Sequence, residues 1–164
     1  MPDPSADAAA VGPAVVPAPA TPADAGAASH ERKVLERLGV TIEVPAGCTV
    51  DDTSSAGRPP SYSLYDTAGF FSVMVREARP EEPKELGAAK KALPAATITR
   101  EEEIAGGGWR LEWEAQRPGA PSRTDFGVDV LRTVGGRPVR CSRTLASEQA
   151  AAAVVKACLT LAAK

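Results

Sequence analysis

The sequence predicts an α/β domain, a mainly antiparallel sheet packed by helices, behind a disordered N-terminal arm. Three observations carry that expectation. The first 30 residues are rich in Ala and Pro and have no periodic apolar face. Beyond them, several runs alternate apolar and polar residues with period two and are bounded by Gly and Pro, the pattern of half-buried strands. The chain then closes on a stretch with one apolar stripe at helical spacing. With 164 residues the chain has room for one domain. The expected division is an arm or linker over 1–30 and a single domain over 31–164, large enough for one core.

Pro13-Ala14-Val15-Val16-Pro17-Ala18-Pro19-Ala20 typifies the arm. Proline at this density removes backbone donors and favours extended polyproline conformations, which suits a tether. Ser29 can cap a short helix over His30 to Gly39, with Leu35 and Leu38 on one face. Val40, Ile42 and Val44 alternate with Thr41 and Glu43 as a first strand, stopped at Pro45-Ala46-Gly47. Asp51 to Pro60 reads as a loop. Tyr62 and Leu64 then lead through Asp66-Thr67-Ala68-Gly69 into Phe70 to Ala78, a hairpin. Residues 81 to 93 predict a helix, with Leu86, Ala89 and Leu93 at helical spacing and Pro94 as the stop.

Strands follow at Ala96 to Ile104 and Trp109 to Ala115, joined by Ala105-Gly106-Gly107-Gly108. Trp109, Leu111 and Trp113 share one side of the second strand and Arg110, Glu112 and Glu114 the other, which predicts one buried and one wetter sheet face. Arg110, Glu112, Glu114, Asp129 and Arg140 are expected to form a cross-strand charge lattice on the wetter face. Phe126, Val128 and Val130 then precede Gly135-Gly136. If those glycines make a two-residue hairpin turn, Val134 pairs with Arg137 and Val130 lies opposite Cys141, so Cys141 points inward.

Ser147 is the expected cap of the closing helix, whose Ala151, Val154, Val155, Cys158, Leu161 and Ala162 form the apolar stripe. From Cys141 to Ser147 the chain covers roughly 20 Å at strand rise, and the return to Cys158 covers roughly 16 Å at helix rise. The two sulfurs therefore arrive at about the same level, and a Cys141–Cys158 disulfide is expected. Two buried free thiols are the alternative. A bridge would favour an oxidising compartment, periplasm or outside the cell, and free thiols the cytoplasm.

Three of the 21 acidic side chains, Asp3, Asp7 and Asp24, and none of the 19 basic ones fall in the arm. The remaining domain is nearly neutral, which gives no electrostatic reason to expect a nucleic-acid partner. No stretch is long and apolar enough for a membrane span. The N-terminus lacks a basic region followed by an apolar one, which leaves a cytoplasmic protein or an exported one whose signal is not part of this chain.

Few residue groups suggest chemistry. His30, the only histidine, has no Cys or paired carboxylates at ligand spacing. Pro45-Ala46-Gly47-Cys48 superficially matches a lipoprotein cleavage box without the apolar run that should precede it, and Cys48 has no sequence-local base. Gly106-Gly107-Gly108 opens a strand, unlike a phosphate-cradling loop. Glu101-Glu102-Glu103 and Asp51-Asp52 read as solvated carboxylates rather than metal ligands. No catalytic residue, cofactor or metal site is therefore expected. The aromatics are core first. Trp109 and Trp113, with Arg110 and Arg140, are the candidates for contact with a protein partner if they line an open groove.

The run Gly39-Val40-Thr41-Ile42-Glu43-Val44-Pro45-Ala46-Gly47 resembles the "strand then Pro-x-Gly" opening of Mog1/PsbP-like domains. The order of hairpin, helix, meander and closing helix over residues 39–163 resembles the rest of that fold. The strand cysteine and the cysteine before Leu159-Thr160-Leu161 look like those of small secreted proteins of this shape from high-GC bacteria. The resemblance implies an α/β/α sandwich whose members mostly bind proteins or assist assemblies: photosystem II accessory proteins, a small-GTPase release factor, envelope lipoproteins and type VI effector chaperones. It carries no catalytic residue set. The resulting expectation is a non-catalytic protein-binding or accessory module of the bacterial envelope or secreted fraction, monomeric or homodimeric, with an unidentified protein partner. The alternatives are a cytoplasmic chaperone or adaptor for a secreted effector and, more weakly, a cysteine-dependent enzyme using Cys48.

Overall fold

The computed structural model describes residues 29–164; of the arm expected over residues 1–30, residues 1–28 lie outside the described residues and His30 opens a strand. The described residues form ten strands, β1 His30–Leu35, β2 Val40–Pro45, β3 Thr49–Asp52, β4 Ser61–Tyr65, β5 Ser72–Glu77, β6 Thr97–Glu103, β7 Gly108–Arg117, β8 Ala120–Val134, β9 Arg137–Leu145 and β10 Ala162–Ala163. Two helices, α1 Leu86–Lys91 and α2 Glu148–Leu159, complete it. Seven strands make one antiparallel sheet in the order β3-β4-β5-β9-β8-β7-β6, and β1-β2-β10 make a second.

Local chemistry sets the centre of the large sheet. Gly135 and Gly136 both take positive φ, 57° and 78°, which a two-residue hairpin turn requires at both positions. The turn fixes the register, pairing Val134 with Arg137 and Val130 with Cys141. On that face Val128, Val130, Val139, Cys141, Val73, Val75 and Leu64 are buried with the inner faces of β2 and α2 in one core. The Ser147 hydroxyl caps α2 by accepting from the Ala150 N–H at 3.2 Å. At its other end, Arg132 donates to the carbonyls of Leu159 and Leu161 at 2.6 and 2.8 Å, occupying acceptors that the helix leaves open. Cys141 and Cys158 are joined as a disulfide, Cα atoms 5.7 Å apart, tying the sheet centre to α2.

The opposite face has its own smaller core. Trp109, Leu111, Leu131 and Ala89 are buried there, with Leu86, Leu93, Ile98 and Trp113 packed around them. The layers are thus α2 with the small sheet, the seven-stranded sheet, and α1 with its flanking segments.

Four expectations are corrected. The helix over His30 to Gly39 is instead β1 followed by a 3-10 turn at Glu36–Leu38. Leu35 and Leu38 do enter the core, but β2 offers an unpaired edge, and pairing His30–Leu35 against Val40–Pro45 satisfies its backbone groups. The loop expected from Asp51 begins at Thr53, because Thr49–Asp52 pair with β4. The helix expected over 81–93 shortens to Leu86–Lys91. Finally, both faces of the sheet carry a core, the α1 face over part of its extent only. Register pairs Trp109 with Leu131, Leu111 with Asp129 and Leu131 with Arg140. Asp129 and Arg140 therefore lie on the tryptophan face, while Arg110 and Glu112, opposite Val130 and Val128, lie on the α2 face. The expected single charge lattice is two separate clusters.

Candidate functional site

The α1 face is where the fold leaves room. Helix α1 has only six residues, enough to cover Trp109, Leu111 and Leu131 but not the rest of a seven-stranded sheet. A line of concavities runs across the uncovered part. At its β7 end, a cleft of about 510 Å³ lies between the Ala92–Ala96 segment and Trp113, Ala115 and Pro118. Leu93 and Trp113 border both it and a second concavity of about 430 Å³, floored by Asp129 and Ser142 and reaching Met74. Met74 in turn borders a third, of about 260 Å³, with Ser61, Arg76, Thr53, Arg58 and Arg79. The line ends beyond Arg58, Pro59 and Arg79, beside Glu81.

Trp113 owes its pose to Gly127, its cross-strand partner. A Cβ at Gly127 would fall inside the indole, so the ring lies flat on bare backbone. Trp113 remains partly exposed, and Met74 is 36% exposed. Both are large apolar groups in contact with water, the composition from which interface anchors are made.

A buried ion network walls the groove. The Arg140 guanidinium binds both carboxylate oxygens of Asp129 and donates to Glu82 at 2.9 Å. Glu82 also takes a two-pronged bond from Arg76 and the Arg79 N–H at 2.9 Å. Burial pushes the Glu82 carboxyl up, but hydrogen bonds from Arg76 and Arg79 and the charge of Arg140 overcome it and hold the group at about 2. Asp129, deeper in, is pushed up by burial against the pull of Arg140, and Arg140 is raised chiefly by its bond to Asp129. The network pins the segment preceding α1 to strands β5, β8 and β9. It acts as a clamp.

The four residues singled out for partner contact separate. Trp109 is 1% exposed and belongs to the small core. Arg140 is committed to the clamp. Arg110 lies on the other face, bound to Glu112 at 2.5 Å with Glu102 at 3.7 Å. Of the four, Trp113 and Arg140 line the groove, Arg140 as part of the clamp that walls it. Sequence reasoning missed Met74, Leu93 and the Arg58/Arg79 end. The signal was the odd-with-odd pairing of β7 and β8, hidden because their turn at Pro118-Gly119 contains a bulge at Gln116/Arg117.

The other candidates are accounted for. Cys48 is buried, and burial followed by the charge of Asp66 raises its thiol, the reverse of nucleophile activation. His30 opens β1 opposite Pro45. Gly108 opens β7 so close to the Leu131 carbonyl that no Cβ would fit. Glu101–Glu103 lie on the exposed edge strand β6, where charge discourages edge-to-edge pairing; Glu101 binds Lys90 at 2.5 Å. Tyr65 donates to Asp51 at 2.8 Å and the Ser54 N–H to Asp52 at 2.9 Å. Among the described residues, no three His, Cys, Asp or Glu side chains converge as metal ligands, and no helix is long and apolar enough to cross a membrane.

Neither a family model nor a curated protein matches the chain. Solved structures do. The Ran-binding protein Mog1p of Saccharomyces cerevisiae aligns over 82% of this chain and 95% of its own, at 12% identity and a TM-score of 0.54. Cyanobacterial PsbP (CyanoP) from Synechocystis aligns over 85% and 95%, at 15% identity and a TM-score of 0.55. A Bacteroides thetaiotaomicron protein aligns over 81% of this chain and 48% of its own, at 12% identity and a TM-score of 0.52. Identities this low establish the fold alone. That fold is Mog1/PsbP-like.

Proposed function

We propose that this chain is a non-catalytic protein-binding module that takes its partner in the groove over Trp113, and that it works in the envelope or secreted fraction of a bacterium. The observation that carries the binding role is the line of adjoining concavities from Pro118 to Arg79, neighbours sharing Leu93 and Trp113, then Met74, then Arg58 and Arg79. A partly exposed tryptophan held flat on glycine is a rigid anchor that costs little entropy to engage. A protein partner fits the Ran-binding description of the structurally similar Mog1p. The location draws on the Cys141–Cys158 bond, which is stable where thiols oxidise. A chaperone cradling apolar helices would want an open apolar sheet face. Here α1 covers Trp109, Leu111 and Leu131, and the far end of the groove carries arginines.

A photo-crosslinking amino acid at position 113 or 74, compared with one at the exposed Lys156 on α2, tests the binding surface in cells. A discrete adduct from both groove positions and none from 156 is expected. Equal labelling from all three would sink the proposal. Native protein alkylated without reduction should gain one label, at Cys48 after unfolding; three labels would remove the case for an oxidising compartment.

A further inference from the structure

We infer that the partner enters the groove as an extended acidic segment, an aliphatic or prolyl side chain in the Trp113 slot and, about seven residues away, a carboxylate on Arg58 and Arg79. This rests on the groove reading proposed above and names the chemistry of the partner. Three observations support it.

The first is the apolar end. The slot beside Trp113 is lined by Leu93, Pro94, Ala95, Ala96 and Pro118. Its polar neighbours are engaged, Asp125 with Arg117 and Gln116 with Thr124 at 3.3 Å. An apolar side chain entering there desolvates no free charge.

The second is the charge at the other end. Arg58 and Arg79 are exposed and border both of the last two concavities. Neither has an ion-pair partner among the described residues. Arg76 is already matched by Glu82. Of the acidic residues here, Glu81 stands at the outer rim. Glu77 borders the third concavity, but it pairs with Val139 of the α2-side core, and that register turns its side chain to the α2 face. The Thr53 and Ser61 hydroxyls lie 2.8 Å apart; as one donates to the other, one O–H remains to donate elsewhere. Two guanidinium forks beside a hydroxyl donor match a carboxylate.

The third is spacing, which register sets. Ser61 pairs with Arg76, Arg76 with Arg140, Arg140 with Leu131 and Leu131 with Trp109. The arginine end is therefore level with Trp109, four residues along β7 from Trp113 and four strand spacings away. Met74, through Ser142 and Asp129, is level with Leu111, midway. The groove thus crosses the sheet on a diagonal, about 19 Å across the strands and about 13 Å along them, or roughly 23 Å. An extended chain covers this in about seven residues. Asp129 and Arg140 satisfy one another midway, so small uncharged residues suit the middle. A polypeptide carries unlike side chains at that separation. A nucleic acid would instead call for cations along the whole line.

The test has two arms. In the first, end-capped peptides of about ten residues, with Leu-Pro at one end, Asp-Asp at the other and about six Ser and Gly between, in either order, are titrated into the full chain. Trp109 is buried and contributes a constant background, so fluorescence changes report Trp113. A saturable change is expected from one order, weakened roughly threefold or more by Arg58→Gln/Arg79→Gln and weakened by added salt. Both arginines are exposed, and unchanged melting verifies that the variant is folded. No saturable change at millimolar peptide overturns the inference. So does equal binding of a peptide with Lys-Lys for Asp-Asp, or of one with a spacer of about two residues. The second arm uses the partner in cells. The crosslinked adduct from position 113 should fall about threefold or more in Arg58→Gln/Arg79→Gln. An adduct of unchanged yield overturns the acidic segment and leaves the binding module standing, whereas no adduct from the otherwise unaltered chain at either 113 or 74 sinks both.

Discussion

At the scale of single residues, Gly127 and Glu82 do more than their chemistry suggests. The Trp113 ring lies on Gly127 where any Cβ would overlap it. Gly127→Ala should therefore displace the indole, cost about 1–3 kcal/mol of stability through overpacking, and shift Trp113 emission to the red. A variant with wild-type melting and emission would show that the ring is not seated there. Glu82 makes a pH-dependent contribution whose sign is fixed by its lowered carboxyl. A group held at about 2 when folded and near 4.5 when unfolded stabilises fully above the higher value, by about 3 kcal/mol, and loses this as pH falls toward the lower. Asp129, raised by burial, has the opposite sign, its share fading as pH rises through its raised value. In denaturant titrations the stability gap between wild type and Glu82→Gln should be widest above pH 5 and close toward pH 2. A gap independent of pH would mean that the carboxylate charge is not what Arg76 and Arg140 recognise.

At the scale of elements, helix α2 shows what local sequence can determine. Ser147 capped it as its position required, and removing the cap by Ser147→Ala should cost about 1 kcal/mol, read by urea unfolding. The disulfide closes a loop of separation 17 between sheet and helix. Reducing it should lower stability by about 3 kcal/mol on the chain-entropy estimate; no change on reduction would show that α2 docks equally well without it. The β8–β9 hairpin was legible down to its register because two adjacent glycines set the count. β1 was not. Leu35 and Leu38 have helical spacing, and only the open edge of β2, distant information in a sequence, makes the first of them the end of a strand. The groove was hidden for the same reason. Trp113 could be named from alternation, but Met74 and Leu93 come from other elements, and the face they share follows from a bulged turn that carries no register signal.

At the scale of the whole molecule, the two faces of the sheet are held with unequal strength. The α2 side shares one continuous core from β2 through the sheet to Cys158. The α1 side has a cluster of four buried apolar residues, Ala89, Trp109, Leu111 and Leu131, and the segment that covers them is tied down chiefly by Glu82. Free energies of local opening follow buried apolar contact and clamp strength, so the two faces should not open together. Native-state hydrogen exchange should find the α1 amides exchanging through a partial opening, while central amides of β8, β9 and α2 exchange only on global unfolding. Glu82→Gln should lower protection in residues 79–96 before it lowers protection in α2, because the clamp bears on one face alone. Because Leu93 belongs to that segment and to the groove, the opening also widens the site, and a groove occupant should slow α1 exchange without altering α2. Uniform protection across both faces, or an Glu82→Gln effect that reaches α2 equally, would show a single cooperative unit in which the groove is as rigid as the core.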